Sequence, residues 1–223
     1  LMLIAGGLFC AITIGLFSLI GVRIEIYFED YIVPIGLSSV PVFAAFLVQN
    51  NNQLVSKISP VIARIFTPIV FVTLFIFIAT VIATGNYPNS NRDFLMLFNV
   101  LLVAVMALIL FSLTGISKSM DQKMNQWLLL GLSVLTIVVN IIALSSISYR
   151  ISSYGFSPNR LSVLGADLLI LFNLILVSRK LFFIVRGKVG VEEVEQSIAV
   201  FLPVYFIWTA FVSFGFPILF EYK

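Results

Sequence analysis

Asp167 sits inside an almost unbroken apolar run, LSVLGADLLILFNLIL at 161–176, directly after the turn SYRISSYGFSPNR at 148–160. A carboxylate at the centre of a membrane-spanning helix costs about 2.5–3.5 kcal/mol on insertion scales, so it needs a partner, a proton or a wet cavity. Arg150 and Arg160 are the nearby cations. Arg160 precedes Asp167 by seven residues, two helical turns on nearly the same face. Either arginine is therefore a candidate partner for the acid. Asn140, Asn99 and Asn173 are the other strongly polar side chains in long apolar runs. Such residues bind ions or solutes, or hydrogen-bond neighbouring helices at about 0.6–2 kcal/mol each. Both readings are open for this set.

These side chains need helices to hold them. A spanning helix takes about 20 mainly apolar residues at 1.5 Å rise. Seven segments qualify, at 1–21, 32–49, 61–84, 94–114, 126–148, 159–178 and 197–219. The second is short and carries Pro34, Ser38, Ser39 and Pro41, so a re-entrant segment with six full spans is the alternative. Ser59-Pro60 and Ser157-Pro158 each read as an N-cap followed by proline at the first helical position. The long connection SRKLFFIVRGKVGVEEVEQ leaves room for a short surface helix.

With seven spans, the loops after the second, fourth and sixth lie on the side of the N-terminus. They hold Lys57, Arg64, Lys118, Lys123, Arg179, Lys180, Arg186 and Lys188, eight cations against five (Arg23, Arg92, Arg150, Arg160, Lys223) on the other side. The positive-inside rule then puts the N-terminus in the cytoplasm, with Trp127 as an anchor at that interface. On this topology Asp167, Asn140 and Asn99 fall about 9, 12 and 8 Å below the outer boundary, and Asn173 about 18 Å. The expectation is an outward-opening polar pocket, floored by Asp167, Asn140 and Asn99 and covered by the Arg150–Arg160 turn.

Composition sets the medium. The chain of 223 residues is 61% hydrophobic and 10% charged, with a mean hydropathy of +1.14. A soluble domain carries about 25% charge and could not cover its surface with so little. The fold class is thus all-α, a polytopic transmembrane bundle forming a single domain over 1–223. The apolar start at Leu1 suggests a piece of a longer chain. The net charge of +3 is read as loop charge facing the cytoplasm, not as a nucleic-acid surface. One cysteine, Cys10, and no histidine exclude a disulfide framework within the chain, a catalytic Ser-His-Asp triad and the usual zinc ligand sets. No cofactor motif is present. Glu25, Glu29 and Asp30 match no calcium-loop spacing, and Glu192, Glu193 and Glu195 suit the start of a helix.

The turn carries a family likeness. Arg150, Ile151, Tyr154, Gly155, Asn159 and Arg160 fit an R-I-x-x-Y-G-hydroxyl-x-x-N/D-R pattern between two apolar helices, with the hydroxyl of Ser157 one place later than the pattern sets it and Phe156 in that place. With the basic loop and FLPVYFIWTAFVSFGFPILF after it, this resembles the C-terminal part of a bacterial membrane family, domain of unknown function 4153. The resemblance implies a multi-pass protein of the bacterial cytoplasmic membrane and transfers no catalytic residue. In the turn, Gly155 is expected to supply a backbone angle other residues avoid, and Tyr154 and Phe156 to anchor at the interface. The functional expectation is a non-enzymatic component of a transporter or permease for a small solute or ion. The alternatives are a structural or signalling membrane module, or the anchor of an enzyme. In the module, the inner basic cluster Arg179, Lys180, Arg186 and Lys188 docks lipid or a cytoplasmic protein.

Overall fold

The computed structural model describes residues 2–50, 58–85, 92–114, 122–188, 190 and 192–220. Lys57, Lys118 and Lys223 lie outside them. The described residues form helices and no strand. They are α1 (Met2–Leu19), α2 (Val33–Asn50), α3 (Ile58–Thr84), α4 (Arg92–Thr114), α5 (Gln122–Tyr154), α6 (Pro158–Val185) and α7 (Glu192–Ala210). A helical turn at Glu25–Tyr27 and a π-helical turn at Phe28–Ile32 lead directly into α2, so Glu25, Glu29 and Asp30 stand on helical turns. The π-helical Phe211–Gly215 and the short helix Phe216–Leu219 prolong α7.

Among the described residues, six helical stretches are long and apolar enough to cross a bilayer: Met2–Leu19, Val61–Thr84, Met96–Leu113, Lys123–Tyr154, Pro158–Val185 and Gln196–Leu219. For the proline- and serine-bearing α2, packing shows that the chain returns there. Phe9 meets Phe66 and Phe17 meets Phe77, so α1 and α3 run parallel. Two parallel neighbours in sequence require the chain between them to come back to the starting side. α2, about 27 Å long at helical rise, is the described helix within that return. Ser38 and Ser39 bond the carbonyls of Pro34 and Ile35, which hides their hydroxyls from an apolar medium.

The core sits among α3, α4, α5 and α6. Buried positions on α5 recur as Leu129, Leu132, Thr136, Val139, Ala143 and Ile147, one stripe at helical spacing. Leu102, Val105 and Ile109 of α4 and Leu174, Val177 and Leu181 of α6 pack on it. Edge-to-face rings Phe17, Phe77 and Phe98, with centroids 6.0 Å apart, tie α1, α3 and α4 together. Large apolar side chains cover the outside as well: Ile82 is 76% exposed and Phe214 76%. An exterior of this kind is stable against hydrocarbon and not against water, which makes the bundle a multi-pass membrane domain.

α5 and α6 form the most extensive helix pair and run about 50 and 42 Å at helical rise. Both outlast a hydrocarbon core of about 30 Å. Arg179 and Lys180 are therefore inside α6 rather than in the loop, and among the described residues no separate surface helix lies between α6 and α7. The 155–157 turn and the Arg186 end of α6 stand at opposite ends of that helix, on opposite sides of the membrane.

Candidate functional site

Two hydrogen bonds set the register of the central pair. Ser133 Oγ donates to Ser178 Oγ over 3.2 Å, and Asn140 Nδ2 donates to the backbone oxygen of Asp167 over 3.2 Å. Asn125 Nδ2 reaches Ser112 Oγ at 3.3 Å, so on antiparallel α4 and α5 Asn99 stands about level with Val138. Asp167, Asn140 and Asn99 thus share one level within about a helical turn, with Asn173 about 9 Å further in along α6. The layer expected from the sequence is present.

Its surroundings differ from expectation. Asp167 is 1% exposed, enclosed by its neighbours and not standing on the wall of an open pocket. Neither arginine comes to it. Arg160 Nη1 donates instead to the carbonyl oxygens of Tyr154 (2.8 Å) and Gly155 (2.7 Å), and its guanidinium lies 5.5 Å from the Tyr154 ring centre. Helical side chains lean toward the N-terminus of their own helix, so Arg160 reaches back into the turn and away from Asp167. There it satisfies carbonyls at the end of α5, where a cation also suits the helix dipole. Arg150 stands about 15 Å above Asn140 along α5, and its Nε is buried without a partner.

The rest of the turn follows the sequence. Gly155 has φ of 75° and closes α5 by bonding Ile151. Ser157 caps α6, accepting from the Arg160 N–H at 3.4 Å with Pro158 next in line. Tyr154 and Phe156 are exposed, as interface anchors should be. Asn159 is exposed in the first turn of α6, its carbonyl accepting from Ser162. Ser59, by contrast, falls inside α3, which starts at Ile58. Arg160→Met is expected to cost about 1 kcal/mol, the worth of an exposed carbonyl cap, measured as a lower unfolding temperature in detergent; Arg160→Lys should recover part of it.

Four buried acceptor oxygens of the layer have no hydrogen-bond partner: Asp167 Oδ1, Asn140 Oδ1, Asn99 Oδ1 and Asn173 Oδ1. Asn173 does donate through Nδ2 to the Tyr205 hydroxyl at 3.0 Å. One turn along α7, Trp208 Nε1 donates to the Ser162 carbonyl at 3.3 Å. Sequence reading missed both α7 partners. Their signal was spacing, two amphipathic rings three residues apart on one helical face. At the other end of α6, Arg179 and Arg186 lie over the Phe183 and Phe182 rings. Lys180 pairs with Glu193 at the start of α7. Both partners are exposed, so this surface pair contributes little on its own. Among the described residues, no group of three or more His, Cys, Asp and Glu could hold a metal ion.

Fold and site together define a multi-pass α-helical membrane protein with an enclosed, acceptor-rich polar layer between α4, α5 and α6. Comparison with protein-family models, curated proteins and solved structures found no match.

Proposed function

We propose that this chain belongs to a transporter or permease of the bacterial cytoplasmic membrane and that its polar layer carries a proton or a monovalent cation. One observation supports this reading above the others. Asp167 Oδ1 is buried without a donor, among amide oxygens in the same condition. An acceptor set with no nearby cationic side chain suits a small positively charged guest, and an acid at membrane depth is functional by default. The bacterial assignment rests on the likeness of the Arg150–Arg160 turn to domain of unknown function 4153, and the orientation on the excess of cations around the α6–α7 connection.

A second reading has its own support. The Asn140 and Asn173 bonds tie α6 to both neighbours, which is what a structural or signalling module would need. Ion flux decides between them. Proteoliposomes holding the wild-type chain should pass protons or sodium above protein-free vesicles, and Asp167→Asn should lower that flux at least tenfold. Equal flux in the variant, or none in the wild type, favours the structural module.

A further inference from the structure

Two grooves flank the cytoplasm-side end of α6, and one residue lines both. The first, between α6 and α7, has a volume of about 500 Å³ and is lined by Leu176, Arg179, Lys180, Phe183, Lys188 and Ser197. The second, between α5 and α6, has about 320 Å³ and runs along Leu130, Val134, Ile137 and Ile175 up to Arg179. Arg179 therefore stands on the crest between two apolar furrows, level with the headgroup end of the bundle. Lys180 is turned to Glu193, which leaves Arg179 and Lys188 as the cations of the first groove with no ion-pair partner among the described residues.

We infer that this crest binds one anionic phospholipid. The phosphodiester sits between Arg179 and Lys188, and an acyl chain lies in each furrow. Charge complementarity and shape agree on this occupant. A guanidinium offers a planar fork to phosphate oxygens, Lys188 adds a point charge, and the furrows below it are lined by the hydrocarbon of Leu176 and Phe183 on one side and Val134 and Ile137 on the other. The φ of 68° at Gly187 ends α6, and the Lys188 N–H bonds the Phe183 carbonyl at 2.9 Å, which fixes the lysine's backbone beside the groove. A soluble phosphate would use the cations and leave both furrows bare. This inference depends on the chain lying in a bilayer and not on ion transport, so the two fail separately.

The test titrates the purified full chain in detergent micelles with phosphatidylglycerol or phosphatidylcholine, read by native mass spectrometry and by the unfolding temperature. The wild type should retain phosphatidylglycerol selectively and unfold at higher temperature in its presence, a comparison that needs no variant. Arg179→Gln with Lys188→Gln should weaken retention about 30-fold, from about 1 kcal/mol for each charge. Arg23→Gln, which removes an exposed cation at the other end of the bundle, should leave it unchanged. Equal retention of both lipids, an unaffected double variant, or displacement of phosphatidylglycerol by inorganic phosphate at equal concentration would overturn the assignment.

Discussion

Gly165→Ala is expected to destabilise the bundle by about 2–3 kcal/mol, the range for forcing extra volume into a packed site. A Cβ built on Gly165 would stand 2.0 Å from Cζ2 of Trp208 and 2.4 Å from Cη2. A flexible side chain could yield, but this ring cannot easily do so. Its Nε1 is held by the Ser162 carbonyl, and its faces meet Phe211 and Phe216 at centroid distances of 5.9 and 6.3 Å. The added methyl must push α7 outward, breaking that bond and loosening the Asn173–Tyr205 contact further along. Thermal unfolding in detergent measures the loss. Gly7→Ala, where a Cβ meets nothing within 4 Å, controls for helix propensity and should be neutral or slightly stabilising. Trp208→Ala in the Gly165→Ala background should cost less than the sum of the two single changes, because the clash then has no partner. A Gly165→Ala protein as stable as Gly7→Ala would mean that α6 and α7 do not approach as described.

The same pair of helices shows what the sequence could and could not convey. Rise per residue translates position into depth, so the shared level of Asp167, Asn140 and Asn99 was legible once the topology was drawn. Cap chemistry is local, which is why Ser157, Pro158 and Gly155 could be placed from four or five residues of context. Direction around the helix axis is different. Depth says nothing about which neighbour a side chain faces, so neither Tyr205 as the partner of Asn173 nor Trp208 over Gly165 could be derived. Arg160 illustrates the gap. Its spacing from Asp167 puts both on one face, but the lean of helical side chains and the unmet carbonyls of α5 turn it the other way. Helix ends were underestimated for a related reason, since hydropathy marks where lipid stops and α5 and α6 continue beyond it.

Asp167→Asn should leave the fold intact and raise its stability by about 1–3 kcal/mol while lowering the proposed ion flux at least tenfold. The first half follows from the bonding. What joins α5 to α6 at this level is the backbone oxygen of residue 167, which accepts from Asn140, and this bond survives any side chain placed there. The carboxyl group contributes a buried oxygen with no donor, and an unsatisfied buried polar atom costs about 1–3 kcal/mol. An amide of the same shape removes the charge and brings two N–H donors into a layer whose Asn140 and Asn99 oxygens lack them. Tyr205→Phe supplies the contrast. Deleting that hydroxyl strands the Nδ2 group of Asn173 and should cost about 0.6–2 kcal/mol, with flux retained in the folded fraction. Paired measurements of unfolding in detergent and flux in proteoliposomes separate the cases. A residue kept for architecture loses stability when changed, as Tyr205 should. A residue kept for function at the expense of stability gains it, the usual direction of that trade-off. If Asp167→Asn instead unfolds as readily as Tyr205→Phe, the carboxyl group has a structural partner and the layer is an adhesive between helices.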